Sequence, residues 1–285
     1  MAISYALSGQ PKKAVPLIEM ANEVDEKRGH KKGVAIGLCN LAYQQVALGG
    51  LNSAQSNLRR SISLCQEIKD KFREAVGHQE LGRLLAYEGK SDESEKELAK
   101  ALELFIKEHV PQSQGIVWSY RALRALFMSD VDEALKSAKK ARESADIKKV
   151  ERDIIRAEWL LSASYLTKGD LNEAEKRLSE ALVRDRKINL VELEPDILLE
   201  MAKLRSGKND KKEALKLAEE GLGIANRSEY RLKQADIHNF LAEFYLDSKD
   251  FSKAEEHIKI AKERAECGYK PALEKVEQLS RQLNR

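Results

Sequence analysis

The residues able to do chemistry in this chain of 285 are numerous but dispersed. A metal site needs three or four ligands converging on one ion. His30, His78, His109, His238 and His257 are instead scattered among different segments without ligand spacing. Cys39, Cys65 and Cys267 lie far apart and form no CxxC pair, so they read as reduced packing residues. The 47 acidic side chains alternate with 50 basic ones, as the charges of solvated helix faces do. The sequence carries no GxxxxGKS/T phosphate loop, no HExxH, no GxGxxG and no GxSxG. The expectation is a non-catalytic protein with no cofactor and no metal, acting through its surface.

The bulk properties narrow that surface. A formal charge of +3 gives no concentrated basic face for nucleic acid, and the clusters at Lys139–Arg142 and Lys148–Arg152 are short and interrupted. No apolar run approaches the ~20 residues that span a bilayer. The opening MAISYALSGQ is not an export signal, so a cytoplasmic location is expected. The triplet Asn226-Arg-Ser228 fits a glycosylation pattern, which without such a signal is read as coincidence. Charged residues at 34%, aromatics at 6% and only five prolines favour long helices over strands.

Positioning is set by a repeat. GDLNEA at 169–174 is echoed by SDVDEA and GGLNSA, and the last residue of the motif recurs every forty places. Ala14, Ala54, Ser94, Ala134, Ala174, Ala214 and Ala254 form the anchor column. Four places on stand Ile18, Leu58, Leu98, Ala138, Leu178, Ala218 and Ile258; three beyond, small residues from Ala21 to Ala261. A second segment carries Leu41, Leu81, Arg121, Leu161, Met201 and Leu241, each followed by a small residue. Spacings of 3, 4 and 7 describe one face of a helix. Each unit is therefore two helices and a turn, with small residues where the helices cross closely.

This pattern resembles the tetratricopeptide repeat (TPR). Leu161, Ser162, Tyr165, Ala174, Leu178 and Ala181 match its consensus in order and spacing, as do Leu241, Ala242, Tyr245, Ala254, Ile258 and Ala261. The resemblance implies an all-α, right-handed solenoid over residues 1–285, with about seven antiparallel helix pairs. Departures are the period of 40 instead of 34, Arg121 in the leucine column, Ser94 for an anchor alanine, Gly221 inside a helix, and Pro111 read as a helix stop. By the same period Met1, Ala2 and Tyr5 fall partway along a first helix, so a truncated first pair is expected, as of a fragment or a shortened start. After CGYKP, residues 271–285 place Leu273, Val276, Leu279 and Leu283 on one face, a capping helix.

In the resembling family the first helix of each pair lines a concave groove. Carried over, this gives Cys39, Tyr43, Val46, Gln79, Arg83, Tyr87, Ser119, Leu123, Arg156, Trp159, Ala163, Leu199, Lys203, Asn239 and Glu243 as groove residues. Trp159 reads equally as a binding anchor or as packing between repeats; Trp118 is assigned to packing. The family's clamp for a terminal carboxylate is not met, since its positions hold Cys39, Tyr43 and Glu80. Replacing Arg83 by Glu together with Trp159 by Ala is expected to spare stability and abolish binding.

The expected function is recognition of a protein or peptide partner, without nucleic acid or membrane. KRGHKKGVAIGLCNLA and IKDKFREAVGHQELG are similar to the sensor arrays of STAND-type signal-transduction NTPases, which implies a nucleotide switch or other effector domain N-terminal to this chain. The alternative is a stand-alone adaptor of the kinesin-light-chain or cell-polarity type.

Overall fold

The computed structural model describes residues 2–284, apart from the side chain of Ile3. Met1, placed by the period on the leucine column, lies outside them. A backbone in the left-handed region recurs every twenty residues, at Gly9, Gly29, Gly49, Lys69, Gly89 and onward to Lys249. Each such residue closes a helix. The N–H that follows it reaches back to the last turn, as Gly50 does to the Gln45 carbonyl at 2.7 Å and Asp130 to Ala125 at 2.9 Å. The same following residue opens the next helix. Asp70, Asp130, Asp170, Asp210 and Asp250 each accept a hydrogen bond from the backbone N–H three places on. GDLNEA is thus a helix stop, a cap and a buried anchor in six residues.

The described residues form fifteen helices and no strand. In chain order they are α1 Ala2–Leu7, α2 Pro11–Lys27, α3 Lys31–Ala47, α4 Leu51–Glu67 and α5 Lys71–Tyr87. Next come α6 Ser91–Lys107, α7 Pro111–Phe127, α8 Val131–Lys148, α9 Glu151–Lys168 and α10 Leu171–Ile188. The last are α11 Glu194–Gly207, α12 Lys211–Arg227, α13 Arg231–Asp247, α14 Phe251–Ala265 and α15 Lys270–Leu283. The forty-residue unit divides evenly, so both helices of a pair share the added length. Seven pairs stack, and α15 lays Val276 and Leu279 on Ala242, Ile258 and Ala261.

All seven anchors are fully buried, Ser94 included. Its hydroxyl donates to the Gly82 carbonyl at 2.7 Å, so the one polar anchor is satisfied where it crosses the partner helix. Arg121 fits its apolar column by lying over the Trp118 ring, 4.7 Å from the centroid, and pairing with Glu95. Gly221 is a tight crossing: an added Cβ would meet Leu198 Cβ at 3.3 Å.

Two prolines set helix starts. Pro111 opens α7 instead of simply ending α6, since at the first helical position its missing N–H is no loss. The period would start α11 at Val191, which would put Pro195 past the first turn, where a backbone donor is needed. The helix starts at Glu194 instead, and Val191 and Glu192 are freed into a longer connection.

That connection takes part in a closure no repeat column foretells. The coil winds until its first turns meet its last repeats. A Cβ on Gly9 would lie 2.6 Å from Val191 Cγ1, one on Gly49 2.5 Å from Arg231 Cδ, and one on Gly89 2.8 Å from Lys270 Cγ. Beneath this seam a single apolar cluster joins Leu51, Leu58, Leu81 and Leu85 to Leu232, Ala235, Ala265 and Tyr269. Lys12 pairs across it with Glu229 at 3.1 Å.

Candidate functional site

Closing the coil converts the expected open groove into a lumen of about 870 Å³. That is within the ~300–1,000 Å³ typical of small-ligand pockets. Its walls come mainly from the first helix of each pair, because those helices face the inside of the coil.

One wall is apolar. Leu123, Leu126 and Phe127 of α7 face the lumen beside Trp159, Leu160, Ala163 and Leu166 of α9. Leu199 of α11 extends the surface. Trp159 is half-buried and packs against both neighbouring repeats while also facing the cavity. Its indole Nε1 has no hydrogen-bond partner among the described residues. Trp118 lies between Arg121 and Lys140, the latter 4.0 Å from its ring centre.

A second region gathers guanidinium groups around tyrosines. Arg83 lies over the Tyr43 ring at 4.4 Å and the Tyr120 ring at 5.3 Å, with its Nη2 2.8 Å from Glu80. Arg152 donates to the Tyr43 hydroxyl at 2.8 Å and to Glu192, which also accepts from Tyr43. Arg156 is paired with Asp153 at 3.4 Å. Burial by itself would raise the Glu192 carboxyl, but Arg152, Arg156 and the Tyr43 hydroxyl outweigh it and hold the group at about 2. Burial, followed by Glu192, pushes the Tyr43 hydroxyl up to about 12. Three guanidinium groups meet Glu80, Asp153 and Glu192, so the region is balanced in charge. The positions of the family's carboxylate clamp hold no basic set, and the three arginines gathered here each already hold an acid.

The facing wall, from α11, α13 and α15, alternates acids and lysines. Lys233 donates to Asp196, Lys203 to Glu200 at 2.7 Å and Lys275 to Glu243 at 2.7 Å. Among the described residues Asp236 accepts only the Tyr269 hydroxyl, 2.9 and 3.0 Å from its two oxygens.

Of the groove residues expected from the sequence, Tyr43, Val46, Arg83, Tyr87, Ser119, Leu123, Arg156, Trp159, Ala163, Leu199, Lys203, Asn239 and Glu243 line this lumen. Gln79 does not: it is buried beside it, its amide donating to Glu80 at 2.9 Å. Cys39 also packs away from the cavity, its thiol pushed up to about 12 by burial and then by Glu80. Ser119 turns its hydroxyl back to the Gly115 carbonyl. Arg83 faces the lumen but is itself buried, which bears on the expectation that its replacement spares stability. It is 9% exposed, and Arg83→Glu would set a second carboxylate against Glu80, so that substitution tests folding more than binding.

The structure adds Tyr120, Glu192, Asp196, Lys233, Asp236 and Tyr269. Asp196 and Asp236 stand forty and eighty places after Arg156, so the period could have found them. Glu192 and Tyr269 lie in connections, where no column points. Two of the scattered histidines also meet: His238 and His257 share a 2.8 Å contact between their Nδ1 atoms. Burial, with His257 second, pushes His238 down to about 4. Among the described residues no group of three or more His, Cys, Asp or Glu is arranged to hold a metal.

No family model and no curated protein matches the sequence. Solved structures do match its architecture. A Rap protein complexed with competence and sporulation factor is 14% identical, with 88% of this chain and 76% of that one covered at a TM-score of 0.64. The Cut9–Hcn1 hetero-tetramer of the APC/C is 14% identical, covering 98% of this chain and 48% of its own at 0.66. A STAND protein with a tetratricopeptide repeat sensor from Pyrococcus horikoshii is 18% identical, covering 95% and 45% at 0.54. The chain has the tetratricopeptide-repeat fold. In this TPR array the period of 40 gives most helices 17 or 18 residues, with α11 cut to 14 by its late start. No helix of the array, among the described residues, is long and apolar enough to cross a membrane.

Proposed function

We propose that this array is a non-catalytic recognition module whose lumen takes a short peptide segment of a partner protein. The observation that carries the reading is the pairing, in one cavity of about 870 Å³, of an apolar wall centred on Phe127 and Trp159 with walls of charged and hydrogen-bonding groups. A peptide offers both kinds of surface along a short length, and aromatic side chains in enclosed sites are the usual anchors of such contacts. The Rap protein solved with competence and sporulation factor supports the reading by fold analogy only.

The test obstructs the cavity from its wall. Thr167 is exposed and lines the lumen, so Thr167→Trp occupies space without disturbing a packed residue. Val183, on the outer surface of α10, is 70% exposed and Val183→Trp is the control. Peptides captured from a random array should be lost with the first variant and kept with the second. Equal capture by both would reject the lumen as the site. The narrower role, a sensor array relaying occupancy to an attached nucleotide switch, is tested by a phosphate-loop motif in the same reading frame. A frame lacking one favours the stand-alone adaptor.

A further inference from the structure

The wall formed by α11, α13 and α15 carries one acid more than it has lysines. Asp196, Glu200 and Glu243 are each held by one lysine, and Asp236 is left with a neutral hydroxyl. Among the described residues no cation lies within ion-pair distance of it. A buried carboxylate without a cation is costly unless something supplies the charge or it takes up a proton. Burial pushes the Asp236 carboxyl up to about 7 despite the Tyr269 hydroxyl, with Lys203 and Lys233 pulling it down and Asp196 pushing it up.

A second observation points the same way. Asn239 follows Asp236 by three residues, so both project from one face of α13 into the lumen. It is 4% exposed. Its amide Nδ2 donates to the Ala272 carbonyl at 3.0 Å, which leaves Oδ1 as the unpaired acceptor. An acid lacking a cation and a buried amide oxygen lacking a donor lie side by side, and Tyr269 holds the acid in place.

We propose that Asp236 and Asn239 form a subsite for an ammonium or guanidinium group of the bound peptide. The inference rests on the lumen being a peptide site. Such a cation brings several N–H donors, which complete the charge balance of the wall at Asp236 and leave a donor for Asn239 Oδ1 once that buried oxygen is turned toward the lumen. The group is either the peptide's amino terminus or a lysine or arginine side chain.

Two arrays of random tetrapeptides test this, one blocked at both ends and one with a free amino end. Each is read against the unmodified protein, Asp236→Asn and Thr167→Trp, with melting curves confirming that the variants fold. Enrichment of lysine and arginine on the blocked array identifies a side chain as the source. Preference for the free-ended array without that enrichment identifies the terminus. In either case Asp236→Asn should weaken the selected peptides about tenfold or more. Selected peptides with no cation preference, or a preference that survives Asp236→Asn, overturn the subsite while leaving the lumen reading in place. Arrays in which the unmodified protein selects nothing that Thr167→Trp fails to select overturn both.

Discussion

Tyr43 donates its hydroxyl to Glu192, 149 residues further along the chain, and accepts a hydrogen bond from Arg152. One side chain thereby ties the second repeat to the fifth, and to its connection with the sixth, across the interior of the coil. Tyr43→Phe keeps the ring under Arg83 and removes only this bridge. It should lower unfolding free energy by about 1–3 kcal/mol, because charged partners are left unsatisfied in a buried place. Chemical denaturation measures the loss, and small-angle scattering should show a more open coil. An unchanged midpoint and radius would remove the bridge from the account.

The same bridge predicts acid sensitivity. Glu192 sits at about 2 in the folded chain, below the usual 4.5 of a glutamate carboxyl. A depressed carboxyl contributes stability that is complete above its unfolded value and is lost as pH falls through the folded one. Glu192→Gln should therefore flatten the decline in melting temperature between about pH 4.5 and pH 2.

Gly49 and Gly169 occupy equivalent turns with φ of +83° and +87°, but only Gly49 is at the seam. Nothing lies within 4 Å of a Cβ built on Gly169, whereas Arg231 crowds the one on Gly49. Arg231 has little freedom to retreat, since its guanidinium donates to the Arg264 and Glu263 carbonyls at 2.9 Å. Gly169→Ala should cost about 1–2 kcal/mol of backbone strain. Gly49→Ala should cost about 1–3 kcal/mol more by overpacking. Equal melting temperatures for the two variants would mean that the seam bears no load.

Asp185 is fully buried, and among the described residues neither carboxylate oxygen has a hydrogen-bond partner. Burial first, then Glu194, pushes it up to about 7. An acid raised on folding binds more protons in the folded state, so stability falls as pH rises from about 4 to 7. Forty residues to either side the equivalent places hold the buried alanines Ala145 and Ala225. Asp185→Ala should stabilise the chain at pH 8, by an amount that shrinks toward pH 4. Calorimetry at the two pH values checks the sign.

Ala181 is 0% exposed at a helix crossing. Ala181→Leu should cost about 1–3 kcal/mol, read from a denaturation midpoint. A wild-type midpoint would displace the alanine column from the helix interface.

The helix pairs, their period and their buried faces were fixed locally, so they could be read from the chain. A helical face shows as spacing, a close crossing requires Gly, Ala or Ser, and a left-handed turn followed by a capping Asp ends one helix and begins the next. Most lumen residues followed, because facing inward is set by the same periodicity. The seam belongs to the tertiary structure. How far each pair rotates on the last is a small angle summed over seven repeats, and no column records a sum. That sum decides that Gly9, Gly49 and Gly89 meet Val191, Arg231 and Lys270, and that Glu192 reaches Tyr43. It also decides which acids find cations and which, like Asp236, face the lumen without one.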